Sequence, residues 1–158
     1  MAFPYPKELV RGNPKRPLVL IAGGIGLTPL LSIVSYLHHR KKAGLQISGD
    51  PDPSHVWFIH QAVDLTGLVF KDKLKAMRND MPELITCYWT VTGHHSRPDS
   101  NAEIKPVSAA KDHPVDTEVN TGPITKATIN TLGIPIHESV YYICGPLGMI
   151  QSLQNMLT

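Results

Sequence analysis

Two cysteines in 158 residues, Cys87 and Cys144, are too few for a disulfide framework, so a reduced intracellular setting is expected. They are also too few to make a structural zinc site by themselves. Charge is scarce as well. Only 18% of residues are charged, and 15 basic against 13 acidic residues leave a net charge of +2. That balance lacks the clustered Lys and Arg of a nucleic-acid surface, and no nucleic-acid partner is expected. The chain has no Ser-His-Asp set, no paired carboxylates and no P-loop lysine, so hydrolase and nucleotide-triphosphatase chemistry have no residues to stand on. Residues 18–37 are free of charge and as long as a bilayer span. Gly23, Gly24, Gly26 and Pro29 break that run in the middle, where a lipid-facing helix could not satisfy its backbone; no membrane span is read. Residues 1–17 contain four prolines and no apolar stretch, so no signal peptide or transit helix is visible.

What is present is a 42% apolar chain of single-domain length, well outside the composition of disorder. Residues 17–22 form a short continuous apolar run, the pattern of a strand buried on both faces. A glycine-rich turn follows, and Thr28 and Pro29 read as the N-cap and first residue of a helix. Leu30, Ile33, Val34 and Leu37 then repeat at helical spacing, with Gly44 placed to close the helix. Residues 55–60 read as a second strand. Asp64 reads as the cap of a helix reaching about Asn79, with Phe70, Leu74 and Met77 on one face and Pro82 beyond its end. Residues 84–92 are rich in β-formers and read as a third strand. Residues 93–121 are polar and read as a long loop, 124–132 as a short helix, and 139–144 as a fourth strand. Gly145 and Pro146 open a final helix. Strands alternating with helices imply a parallel, doubly wound (Rossmann-like) α/β sheet of four to five strands in one domain.

Ligands of such sheets bind beyond the carboxyl ends of the strands, where strand order reverses. Two segments of unusual chemistry fall there: Gly23, Gly24, Ile25, Gly26, Leu27, Thr28 and Pro29, and then Cys144, Gly145, Pro146 and Met149. A glycine turn lets a phosphate approach the backbone, a helix N-terminus offers free N–H groups, and Thr28 adds a hydroxyl. That combination suits a pyrophosphate. Pro29 stands near where the third glycine of G-x-G-x-x-G would be, so the turn is not the ordinary dehydrogenase fingerprint.

These two segments, with Leu68-Val-Phe-Lys-Asp-Lys-Leu74 and Gly122-Pro-Ile-Thr125 between them, resemble the NAD(P)-binding domain of the ferredoxin–NADP reductase-like superfamily. Asn101-Ala-Glu-Ile-Lys-Pro106 makes the chain resemble, within it, the group of mitochondrial oxidoreductase NAD-binding domain-containing proteins. The resemblance implies that the first segment holds a dinucleotide's pyrophosphate and ribose. It implies that Cys144, Gly145 and Pro146 lie beside the nicotinamide, with Cys144 positioning the ring and Met149 packed behind it. The implied function is the NAD(P)H-binding domain of a flavin-dependent oxidoreductase, passing hydride to an FAD held elsewhere. The alternative is a catalytically silent dinucleotide-binding or interaction module. Thr92-Gly93 stands where users of NADPH in this family carry Ser-Arg, and Ser96-Arg97 comes later, which leans to NADH.

The family's R-x-[YF]-[ST] flavin motif is not found, so the flavin-binding barrel is expected to be absent. FAD would come only through a missing domain or a partner. Residues 1–16 are expected to be at most a remnant of a flavin-domain linker, with 17–158 the NAD(P)-binding domain. His94, His95 and His113 lack an acidic or Cys partner at ligand spacing and are expected in a solvated loop, not at a metal. His55 and His60 are expected to be hydrogen-bonded strand-end histidines, with His60 and Gln61 as candidates to line the adenosine side. Cys87, Trp57 and Trp89 read as core. Lys71, Lys73, Lys75 and Arg78 read as a solvated helix face.

Overall fold

The computed structural model describes residues 15–45, 52–93 and 118–158. Among them the elements run β1 (Leu18–Gly23), α1 (Leu27–Lys42), β2 (Val56–Ala62), α2 (Lys71–Asp80), β3 (Ile85–Val91), β4 (Val119–Thr121), α3 (Lys126–Thr131), β5 (Val140–Cys144) and α4 (Leu147–Leu157). The strands form one parallel sheet in the order β4-β3-β2-β1-β5. This is the expected doubly wound α/β architecture, with five strands. His94, His95, His113, Ser96, Arg97, the 101–106 stretch and residues 1–14 lie outside the described residues.

β1 is an interior strand, between β2 and β5, and all six of its residues are buried. Its alternation feeds two cores. Leu18, Leu20 and Ala22 face α1 and α2, where they meet Leu30, Val34, Leu37, Leu74 and Met77. Val19 and Ile21 face α3 and α4, where they meet Ile129 and Leu153. Each fully buried aliphatic side chain is worth about 1.5–3 kcal/mol, which explains why this short run needs no polar face. The helix α1 ends as its sequence suggests. Gly44 adopts φ +64°, its N–H reaches the Lys41 carbonyl, and the Leu45 N–H reaches the Arg40 carbonyl. This is a Schellman stop.

Three expectations are corrected. First, Thr28 is not the N-cap of α1: a one-turn 3-10 helix at Gly24–Gly26 runs straight into it, Gly26 takes the N-cap place, and no side chain caps. Pro29 is still tolerated because it lies in the first turn. Second, Asp64 caps a separate 3-10 turn, Leu65–Gly67, accepting from the N–H groups of Thr66 and Gly67. Phe70 then sits at φ 60°, ψ 14°, breaks the chain's helical course, and points outward at 55% exposure; α2 begins only at Lys71. Third, the stretch read as one long loop ends in β4, which pairs with β3 at the sheet edge.

Candidate functional site

The strand order reverses between β1 and β5: β2, β3 and β4 lie on one side of β1, and β5 lies on the other. In parallel register Ala22 stands beside Cys144, so the bends that follow these two strands emerge side by side. A Cβ added to Gly23 would lie 2.6 Å from the Met149 sulfur and 2.9 Å from Cδ of Pro146. A Cβ on Gly145 would lie 2.6 Å from Cε of Met149 and 3.0 Å from the Gly23 Cα. A Cβ on Gly26 would run into the carbonyl group of Cys144. Three glycines therefore let two bends, about 120 residues apart in the chain, touch through their backbones. Gly23, Gly26, Cys144, Gly145, Pro146 and Met149 are brought together as a group.

The rest of the first segment divides. Leu27 is 1% exposed and belongs to the core, so its side chain does not reach the crevice. Its N–H is taken by the carbonyls of Gly24 and Ile25. Gly24 has φ +52° with open space where a Cβ would stand; Thr28 is exposed and Pro29 is half-buried. The N–H groups without an intrahelical acceptor thus belong to the 3-10 turn of Gly24, Ile25 and Gly26, one turn ahead of the expected donors. The first turns of α1 and α4 carry no acidic side chain, so the positive ends of both helices face the crevice uncompensated. Ile25, 94% exposed, and Leu147, 69% exposed, give the mouth an apolar rim. Two open cavities of about 510 and 450 Å³ lie at the other end of the sheet. Lys15, Ser54, Glu83 and Glu138 help line them at the amino ends of the strands, away from both bends.

The remaining candidates fall into place. Cys144 is half-buried with a free thiol. Cys87 is a core residue whose thiol donates weakly to the Leu74 carbonyl at 3.8 Å; burial pushes its pKa up to about 12. Trp57 is part of the packing and donates to the Leu132 carbonyl. Trp89 is buried with the cations of Lys71 and Arg78 over its ring, while Lys75 and Arg78 pair with Glu118. Only part of that helix face is simply solvated. Gln61 accepts from the Ile124 N–H at 3.1 Å and ties down the segment before α3.

His55 behaves as expected: its ring nitrogens meet the Glu83 carbonyl at 3.1 Å and the Thr86 hydroxyl at 2.8 Å. His60 does not. It is fully buried, and among the described residues neither ring nitrogen has a hydrogen-bond partner. Burial lowers its pKa from 6.5 to about 4, partly offset by the nearby Gly24 backbone. The signal in the sequence was a histidine within an apolar strand; the structure sets it in register with Ala22, just before the glycine turn.

A doubly wound sheet with a glycine-lined crevice at its switch point defines the class of nucleotide-binding α/β domains. More narrowly, the chain belongs to the oxidoreductase NAD-binding domain family, whose model matches residues 20–155. It is 30% identical over 145 residues to human oxidoreductase NAD-binding domain-containing protein 1, covering 90% of this chain and 41% of that protein. It is 26% identical over 144 residues to a flavohemoprotein of Bacillus cereus, covering 90% of this chain and 29% of that one. Its fold matches the flavohem-like FAD/NAD-binding domain of nitric oxide dioxygenase from Vibrio cholerae with a TM-score of 0.61 at 20% identity, over 90% of this chain and 45% of that one. The chain therefore spans less than half the length of these relatives. Among the described residues no helix is long and apolar enough to cross a membrane.

Proposed function

We propose that the chain is the nicotinamide-dinucleotide-binding half of a flavin-dependent oxidoreductase. The pyrophosphate is held by the N–H groups of Gly24, Ile25 and Gly26, with the Thr28 hydroxyl at the mouth. The nicotinamide lies beside Cys144, Gly145 and Pro146, and Met149 backs it. When bound, the nicotinamide supplies a hydride that an FAD on a separate domain or partner accepts. The chain's own part is orientation and electrostatics. The observation that carries this reading is the interlock of Gly23, Gly26 and Gly145 with Cys144 and Met149, which makes one crevice from both segments. Two uncompensated helix N-termini suit the pyrophosphate, and the apolar rim of Ile25 and Leu147 suits a ring system or a docked flavin domain. Thr92 and Gly93, just beyond β3, present no cation for a 2′-phosphate, which supports NADH over NADPH.

Calorimetric titration of the purified chain with NADH, NADPH and ADP-ribose tests the assignment. NADH and ADP-ribose are expected to bind well below millimolar, and NADH more tightly than NADPH. Thr28→Val, an exposed change, is expected to weaken ADP-ribose severalfold without altering the fold. If none of the three binds below millimolar, the assignment is wrong. Binding without reduction of added FAD or an artificial acceptor marks the chain as a binding module.

A further inference from the structure

His60 occupies the place on β2 that registers with Ala22 of β1 and Trp89 of β3. By strand alternation it shares a face with Phe58 and Ala62, directly behind the glycine turn. A neutral imidazole carries one N–H donor and one acceptor. Here both lie in apolar surroundings without a partner among the described residues, an arrangement that costs stability and calls for a reason. Trp89, beside it in register, also buries an unpartnered indole N–H, but a second donor cannot satisfy the ring N–H. The backbone of Gly24 also lies near the ring, and its influence favours the charged imidazolium. Only an acceptor does that, so the group is the Gly24 carbonyl. It is near the ring yet short of hydrogen-bond geometry.

That carbonyl already accepts the Leu27 N–H, which uses one of its two lone pairs. A bond from His60 would occupy the other. The peptide joining Gly24 to Ile25 is planar and trans, so its C=O and N–H point in opposite directions. Fixing the Gly24 carbonyl inward therefore aims the Ile25 N–H outward, into the crevice between the bends. The hydrogen bond also polarises that N–H, which makes it a better anion donor.

We propose that His60 is the positioning residue of the anion-binding turn: its ring N–H closes onto the Gly24 carbonyl when a dinucleotide pyrophosphate occupies Gly24–Gly26. The proposal rests on the dinucleotide reading of the same crevice. Because the imidazole is neutral at working pH, it acts as a donor and adds no charge to the site.

The test compares ADP-ribose and NADH binding by calorimetry for the wild-type chain, His60→Leu, His60→Asn and His60→Gln, each checked for folding by circular dichroism. Loss of the buried bond is expected to weaken ADP-ribose about tenfold in His60→Leu, equivalent to about 1.4 kcal/mol. One amide, the isostere of whichever nitrogen donates, should restore binding to within about threefold. In the wild-type chain, nitrogen-15 spectra of His60 should show one ring N–H becoming protected from exchange as ADP-ribose is added. Equal binding by folded His60→Leu, or a ring signal unmoved at saturation, overturns the role of His60 while leaving the site intact. If His60→Leu fails to fold, the amide variants and the wild-type spectrum decide. Failure of the wild-type chain to bind either ligand instead overturns the dinucleotide reading, and the His60 proposal with it.

Discussion

Replacing Gly26 by alanine isolates the contact on which the site depends. Gly26 has φ −62° and ψ −6°, a conformation that alanine adopts freely, so the substitution introduces no backbone strain. Its Cβ would overlap the Cys144 carbonyl and lie 2.8 Å from the Gly145 nitrogen. Those atoms are backbone of the neighbouring bend and cannot rotate aside, so the cost sits near the upper end of the usual 1–3 kcal/mol for overpacking. The loss of unfolded-chain entropy returns about 0.4–1 kcal/mol. The net destabilisation is about 2 kcal/mol, or a fall in Tm of about 4–8 °C for a chain of this size. Gly24→Ala is the control: φ is +52° and its Cβ meets nothing within 4 Å, so it costs only the left-handed conformation, about 1–2 kcal/mol, and leaves the bends in contact. Thermal melts followed by circular dichroism, with urea titration for the free energy, measure both. The Gly26 variant should also lose ADP-ribose binding as the two bends are forced apart. If it melts within 1 °C of the wild-type chain, the bends do not touch as described and the reasoning fails.

Other consequences are open to simpler measurements. His60 has a folded pKa of about 4 against an ordinary 6.5, so the unfolded chain binds more protons between these values. Its contribution to stability is therefore complete above about pH 6.5 and is lost as pH falls toward 4. Between pH 7 and 5 the wild-type chain should lose about 2 kcal/mol more than His60→Leu in urea titrations; parallel losses would show that the residue is not a buried neutral histidine. With the Cys87 thiol pushed up to about 12 and Cys144 at the crevice, an aromatic disulfide reagent at pH 8 should titrate one of the two thiols in the folded chain, and NADH should slow it. Equal reaction of both thiols would contradict that placement. Asp64→Ala removes the acceptor for the Thr66 and Gly67 N–H groups, at 3.0 and 3.1 Å, and should cost about 1 kcal/mol by denaturant titration; no loss would mean that water caps the turn as well.

The parts of the fold legible from sequence are those that one local rule determines. β1 announces itself because a strand buried on both faces has no reason to alternate, and α1 because its apolar face and its Gly44 stop agree. β4 was invisible for the converse reason: Val119, Asn120 and Thr121 form a short, partly exposed edge strand whose order comes from pairing with β3. Two readings failed where a 3-10 turn intervened. Thr28 has the chemistry of an N-cap and Asp64 that of a helix cap, but turn type depends on how the chain must approach its neighbours. Phe70 is the plainest case: nothing in a local pattern asks an aromatic residue for a left-handed conformation. At the site, the two segments and their residue types were readable, while their interlock was not. The partnerless state of His60 could not be read either, since burial and hydrogen bonding are properties of the assembled sheet.

Strand order explains why two bends so far apart in sequence make one crevice. β1 and β5 are neighbours, so their carboxyl ends must emerge together, but the helices that follow them leave on opposite faces. α1 packs with α2 against Leu20 and Ala22, and α4 packs with α3 against Val19 and Ile21. Chains that diverge from adjacent strands leave a gap between them, and both helix N-termini border it. Between β1 and β2 this does not happen: the connections leaving both strands cover the α1–α2 face, where Leu27, Ala62 and Leu68 are buried in one core. Gly23, Gly26 and Gly145 stand at the gap because two backbones meet there without side chains between them. His60 lies one strand away, on the filled side, where a polar side chain can reach the back of the turn without entering the crevice.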